Sequence, residues 1–220
     1  MAYIDFLSAL HKGTQRDYLG RVNEFPKAEA VKIAKQYGFD YWDGERKFGY
    51  GGYKYDGRWK KVAEPLIRHY SLEQGDRVLD VGCGKGFLLH DMMQTLPGLE
   101  VEGIDISEYA IEHAKPEVKP FLKVGNAIDL PFEDNSFDLV VSLNTVHNPY
   151  CYELDKALRE IERVGKKHKY IVVESYRNEE EKVNLMYWVL TGECFFAPKE
   201  WEWWFEQCGY TGDHSFIFFE

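Results

Sequence analysis

The stretch RVLDVGCGKGFLL, Arg77 to Leu89, constrains this chain more than any other. An apolar run carries an acid at Asp80, and glycines follow at 82, 84 and 86. Val78, Leu79 and Val81 suit a strand buried on both faces. The segment from Phe87 places Leu89, Met92, Met93 and Leu96 on one helical face before Pro97-Gly98 ends it. Glycines between strand and helix permit a tight turn and bring main-chain N–H groups against a ligand that a side chain would keep away. In a parallel sheet this turn lies at the C-terminal edge, where such sheets bind ligands.

The rest of the chain continues the alternation. EVEGIDI (100–106), FLKVGNA (121–127), FDLVVSLN (137–144) and KYIVVES (169–175) read as further strands. Ser107 is the expected N-cap of a helix through EYAIEHA, and Gly165 the expected end of a helix through ELDKALREIERV. The pattern predicts an α/β fold: a doubly wound, mostly parallel sheet with helices on both faces. The first 75 residues differ. KAEAVKIAKQYG predicts a helix with Ala30, Val31, Ala34 and Tyr37 on one face and Gly38 as C-cap. Residues 40–59 are aromatic, Gly-rich and aperiodic, and read as an ordered loop. Trp59, Val62, Ala63, Leu66, Ile67 and Tyr70 form a helical stripe that Pro65 either kinks or begins. We therefore expect an N-terminal helical cap and lid over residues 1–75 and a ligand-binding core over 76–220, in one compact unit.

Composition narrows the function. The formal net charge is −10 over 220 residues, poorly suited to embracing phosphodiester backbones. The cysteines at 83, 151, 194 and 208 have no CxxC spacing and no His/Cys cluster, so reduced thiols and no metal site are expected. The start, MAYIDFLSALHK, carries Asp5 and lacks a long apolar stretch. No run approaches membrane-spanning length, and a cytoplasmic protein is expected.

The glycine spacing selects a ligand class. A dinucleotide fingerprint needs GxGxxG, and its third glycine falls on Phe87, which argues against a nicotinamide dehydrogenase. An acid two positions before the first glycine repels phosphate and suits an ammonium. The pattern DxGxGxG after a strand resembles motif I of the class I, Rossmann-like S-adenosylmethionine-dependent methyltransferases, in their small-molecule type. The resemblance covers roughly Asp76 to Glu174. It implies that Asp80, Gly82, Gly84 and Gly86 hold the cofactor, that Asp105 binds its ribose and that Ile106 packs on adenine. The family usually has Asp where this chain has Asn126, facing the adenine amino group; Asn keeps an acceptor oxygen and loses the charge. Ala127 would offer its N–H, and Asp129 is either a further polar contact or a solvated loop acid. The Asn144 carbonyl would meet the methionine ammonium.

Methyl transfer from a sulfonium requires alignment, and removal of a proton if the nucleophile carries one. His147, just past the fourth strand, is either the base or orienting group, or a structural loop histidine. Tyr150 either places the substrate or packs. Asn148-Pro149-Tyr150 faintly resembles the N-P-P-Y motif of nucleic-acid amino-methyltransferases, but one proline is missing and it comes late after the strand. FGYGGYKYDGRW (48–59) resembles the lids of methyltransferases acting on small amines and lipids. Tyr50 and Tyr53 are its site candidates, and Arg58 is a candidate partner for a carboxylate. Trp201, Trp204, Phe205 and Cys208 stand at helical spacing and are expected in the core, and SFIFFE reads as a strand. The resemblance implies an antiparallel pair of strands after the fifth, of which one is visible. The expected activity is methylation of an oxygen or nitrogen of a small-molecule substrate. The alternatives are a protein or nucleic-acid methyltransferase, with a basic groove from Lys115, Lys119, Lys123 and Lys166 to Lys169, or a cofactor-binding module without turnover.

Overall fold

The computed structural model describes residues 1–11, 16–51 and 53–220. Gly52, within the 48–59 stretch quoted above, lies outside the described residues. Four short helices open the chain: α1 (Ser8–His11), α2 (Tyr18–Glu24), α3 (Lys27–Ala34) and α4 (Phe39–Trp42). Ala30 and Ala34 are the buried face of α3, as their spacing predicts. Gly38 is not its C-cap: Lys35 ends α3, and Gly38 is the N-cap of α4. The 40–59 segment has the end of α4 and a 3-10 turn at Arg46–Phe48 inside an otherwise irregular path. Helix α5 (Lys60–His69) starts well before Pro65, which is accommodated inside it.

The core then alternates β1 (Arg77–Val81), α6 (Phe87–Thr95), β2 (Glu100–Asp105), α7 (Glu108–Glu112), β3 (Leu122–Val124), β4 (Phe137–Leu143), α8 (Cys151–Val164), β5 (Gly165–Glu174), α9 (Glu179–Trp188), α10 (Pro198–Gln207) and β6 (Asp213–Ile217). The third strand is far shorter than its 121–127 expectation, and β5 begins earlier than Lys169. Ser107 caps α7, accepting from the Ala110 N–H at 3.0 Å.

The strands form one sheet in the order β3-β2-β1-β4-β5-β6, and every pairing is parallel. The expected antiparallel pair is absent among the described residues. After β5 the chain crosses through α9 and α10, so β6 enters from the same end as β5 and pairs with it in parallel. Side chains alternate across the sheet. Val78, Leu139, Val141 and Val172 pack under α5 and α6, where Val62, Leu66, Leu89 and Met92 are buried. Leu79, Val81, Val140 and Val173 face α8 and α10, against Leu158, Ile161, Trp201 and Phe205. Helix α5 therefore belongs to a layer of the core rather than to a detached cap. Strand order reverses between β1 and β4, which sets the ligand-binding crevice at their C-terminal ends.

Trp201 is fully buried and anchors α10 by donating from Nε1 to the Glu174 carbonyl at 3.1 Å. Trp201→Ala is expected to lower the unfolding free energy by about 3–5 kcal/mol. Glu206→Ala, on the exposed side of the same helix, should change it by about 0.5 kcal/mol or less. Urea denaturation of the two variants checks the difference.

Candidate active site

The glycine turn follows β1 directly, and Gly82, Gly84 and Gly86 all have positive φ, at 86°, 53° and 72°. All three also stand where no side chain fits, a Cβ on Gly86 meeting Val118 at 2.7 Å. A Cβ on Gly82 would lie 1.9 Å from Thr145 Oγ1, and one on Gly84 would lie 2.7 Å from the Trp42 ring. The turn does not present its amides to a ligand as expected from sequence. The N–H groups of Gly82 and Cys83 donate to the Ile104 carbonyl at 2.7 and 3.0 Å. Gly86 donates to Cys83, and Gly84 donates to Asp105 Oδ2 at 2.8 Å. The glycines supply close packing, and the charge on offer comes from the acids beside them.

Asp80 shares the Val78 face of β1 and is 4% exposed, and its Oδ1 has no hydrogen-bond partner among the described residues. Burial, and secondarily the charge of Asp105, push its carboxyl up to about 8. Asp105 ends β2. Its Oδ2 holds Gly84 and its Oδ1 accepts from Ser107 N–H at 2.8 Å, yet burial still raises it. Each of its oxygens keeps a second lone pair.

A cavity of about 560 Å³ opens beyond these acids. Its floor is the C-terminal ends of β1, β2, β4 and β5, through Gly82, Asp105, Leu143 and Glu174. Ile106, more than half exposed, forms a bare apolar ledge beside Asn126 and Ala127. Asn126 turns its Oδ1 onto the Ile128 N–H at 3.2 Å, which leaves its amide group free of that bond. Asp129 is exposed and does not line the cavity. A smaller pocket of about 110 Å³ lies along the glycine turn against Asp80. Trp42, Trp59, Gly82 and Leu143 border both spaces.

The roof is the N-terminal segment, tied down by specific bonds. Lys85, in the glycine turn, donates from Nζ to both oxygens of Asp43 at 2.7 Å, and Tyr109 Oη donates to the same carboxylate at 2.8 Å. Trp42 Nε1 donates to Ser107 Oγ at 2.8 Å. Tyr50 is a roof anchor: its Oη accepts from the Leu190 and Thr191 N–H groups at 2.7 and 3.1 Å. Tyr53 packs edge-on against Trp42, ring centres 4.6 Å apart. Arg58 lines the cavity, but its guanidinium is committed to Asp56, with Nη2 2.5 Å from Oδ2. The sequence had left Arg58 available for a ligand anion; the adjacent acid takes it.

At the end of β4, Asn144 adopts φ +58°, and its carbonyl accepts from Asn148 Nδ2 at 3.2 Å. His147 lines the cavity and is almost wholly buried, and its Nδ1 has no partner. Its Nε2 lies 3.6 Å from Glu174 Oε2, and burial pushes the imidazole down to about 3. Tyr150 is half exposed at the rim, stacked with Tyr152. Glu174 was missed by the sequence reading. It ends β5, is 8% exposed, and its Oε2 has no hydrogen-bond partner among the described residues. Burial raises it to about 7 against the pull of Arg16, Arg21 and Lys27. A signal existed: an acid closes the apolar run of β5 as Asp105 closes β2. Trp201 and Phe205 lie in the core, as expected, while Trp188 and Phe219 line the cavity.

A methyltransferase-domain family model matches residues 72–209. The demethylmenaquinone methyltransferase of Symbiobacterium thermophilum is 38% identical over 118 residues, covering 50% of this chain and 46% of that protein. A sterol 24-C-methyltransferase of Gibberella zeae is 34% identical over 128 residues, covering 54% and 32%. The chain thus spans less than half the length of these curated relatives. Among solved structures, a SAM-dependent methyltransferase of Methanosarcina mazei superposes with a TM-score of 0.53 at 27% identity, covering 66% of this chain and 83% of that one.

The raised Asp80 carboxyl has a stability consequence. The folded state keeps its proton up to about pH 8, whereas the unfolded chain releases it near the ordinary value. Its contribution to stability is present at low pH and lost as pH rises towards 8. Asp80→Asn has no such proton to lose. Wild type should therefore lose unfolding free energy relative to Asp80→Asn between about pH 5 and about pH 8. Denaturant midpoints of the two proteins across that range are the measurement, and parallel curves would contradict the raised value.

Proposed function

The chain belongs to the methyltransferase-domain family, and from that premise we propose that it transfers a methyl group from S-adenosylmethionine to an oxygen or nitrogen of a small metabolite held beneath the N-terminal segment. The observation that carries this reading is the buried Asp80 carboxylate, partnerless at Oδ1 and beside the glycine turn. Ionising such a group where it is buried is costly unless a positive partner arrives, and the ammonium of an amino-acid moiety is one. The surroundings fit the remainder of the nucleoside. The second lone pairs of Asp105 suit ribose hydroxyls, the Ile106 ledge suits a flat base, and Asn126 and Ala127 stand where a base edge would end. The Asn144 carbonyl, which already accepts one bond, retains a lone pair for the same ammonium. When bound, S-adenosylmethionine supplies an electrophilic methyl on a sulfonium.

In this reading the segment before α5 acts as cap and lid, and α5 joins residues 76–220 in the core. Trp42, Tyr53 and Trp59 exclude water around the reacting atoms, and Tyr50 and the Asp43–Lys85 pair hold the roof in place. A small acceptor is supported by this closed aromatic space and by relatives whose names specify a demethylmenaquinone and a sterol. A nucleic-acid substrate finds less support. Lys115 and Lys123 pair with Glu117 and Glu102, Lys166 and Lys167 with Asp138, and Lys169 with Glu162. The basic groove that such a substrate needs is thereby largely neutralised.

Calorimetry with the demethylated product, S-adenosylhomocysteine, tests the reading. Asp80→Asn and Asp105→Ala should each weaken binding by about tenfold or more, the loss of a hydrogen bond to a charged group. Because Asp80 must ionise to receive the ammonium, wild-type affinity should tighten with rising pH up to about 8, by at most about tenfold per pH unit. Asp80→Asn should lose that slope. Native wild-type protein that takes up no product nucleoside defeats the proposal.

A further inference from the structure

A third buried acid, Glu174, stands apart from the two beside the glycine turn. Glu174 ends β5, on the far side of β4 from Asp80 and Asp105 in the strand order. Its Oε2 is buried without a hydrogen-bond partner, and the residue lines the 560 Å³ cavity together with His147, Trp188 and Tyr50. The backbone of Glu174 is held independently of its carboxylate, since its carbonyl accepts from Trp201 Nε1. The side chain is thus fixed at its root and unsatisfied at its tip.

His147 faces it from the loop after β4, with Nε2 at 3.6 Å. That separation is too long for a hydrogen bond, and Nδ1 of the same ring is also buried and partnerless. The His147 backbone is pinned, its carbonyl accepting from the Glu193 and Cys194 N–H groups at 3.0 and 2.9 Å. Two polar side chains are therefore held side by side in a cavity wall, and among the described residues His147 Nδ1 and Glu174 Oε2 have no hydrogen-bond partner.

We propose that Glu174 is the proton-accepting residue of the acceptor half of the site, receiving at its carboxylate the proton of a hydroxyl or protonated amine on the small substrate, with His147 as the positioning residue beside it. The inference rests on the methyl-transfer reading above and adds to it the chemical class of the acceptor: a nucleophile that carries a removable proton. As the acceptor's O–H or N–H bond breaks, its electron pair stays on the heteroatom and the proton joins a lone pair of Oε2. The heteroatom's lone pair forms the new bond to carbon, and the S–C pair returns to sulfur. The protonation states are consistent with this division of roles. Burial lifts Glu174 to about 7, close to where a base works best at neutral pH, and lowers His147 to about 3, which leaves a neutral ring able to orient but weak as a base. The groups acting on Glu174 through charge are Arg16, Arg21 and Lys27 from the cap, with the hydroxyls of Tyr50 and Tyr53 and the ring of His147 nearby.

Carbon-13 NMR of protein labelled at the glutamate carboxyl carbon tests the assignment without any acceptor. The Glu174 signal is identified by its loss in Glu174→Gln. A titration midpoint near 7 is expected, moving upward in His147→Phe. A midpoint in the ordinary glutamate range, or one that His147→Phe leaves in place, overturns the pairing. Calorimetry with S-adenosylhomocysteine should find Glu174→Gln binding as wild type does. On an acceptor drawn from a panel of small alcohols and amines, with S-adenosylmethionine saturating at every pH, the same variant should turn over about 10²–10⁴-fold more slowly and lose the acid limb of the pH profile. Weakened nucleoside binding, or undiminished turnover, in Glu174→Gln refutes the role. Wild-type protein that fails to bind S-adenosylhomocysteine is a different result. It removes the methyl-transfer reading, while the NMR midpoint still reports on the carboxyl group.

Discussion

Asp80 has to be buried because β1 is central: β2 and β4 flank it, and α5 and α6 cover the face that Val78 and Asp80 share. A carboxylate there is cut off from water, and no partner from the protein reaches its Oδ1. The sheet interior would be more stable with an apolar residue at this position. An ionisable group placed against the fold's own preference is the feature around which the site is built. Burial raises its carboxyl, and the glycine turn beside it leaves room for Thr145 and Trp42 to pack close.

The cap packs against the same turn from above. A ring such as Trp42 rests on Gly84 only because Gly84 has no side chain. The roof is then located by bonds to the elements it covers: Asp43 to Lys85 and Tyr109, Trp42 to Ser107, and Tyr50 to the chain after α9. Ser107 serves twice, since its hydroxyl caps α7 and also accepts from the cap. Position of the lid and position of the Asp105 strand end are consequently coupled through one turn of chain.

Much of this was legible in the residues. The Asp80 to Gly86 pattern marked the turn, Ser107 its helix start, and the alternation of apolar runs the doubly wound sheet. These are local signals, set by φ preferences, capping and side-chain period. Other readings failed for reasons that were not local. Gly38 looked like the end of one helix and is the start of the next, because both roles use a residue outside helical φ/ψ. Arg58 looked available, and its neighbour Asp56 satisfies it. The amides of the glycine turn looked free, and β2 takes those of Gly82, Cys83 and Gly84 while Cys83 takes that of Gly86.

What the sequence determined by itself was the kind of turn after β1 and the class of sheet around it, since positive φ and two-faced burial leave few residue types to choose from. The tertiary structure alone decided that β6 runs parallel beside β5, because direction depends on where the α10 crossover returns the chain. It alone brought Glu174 to His147, residues on separate strand ends whose approach no spacing encodes. And it alone turned three ordinary acids into groups with raised pKa, because burial is a property of the packed surroundings rather than of the residue.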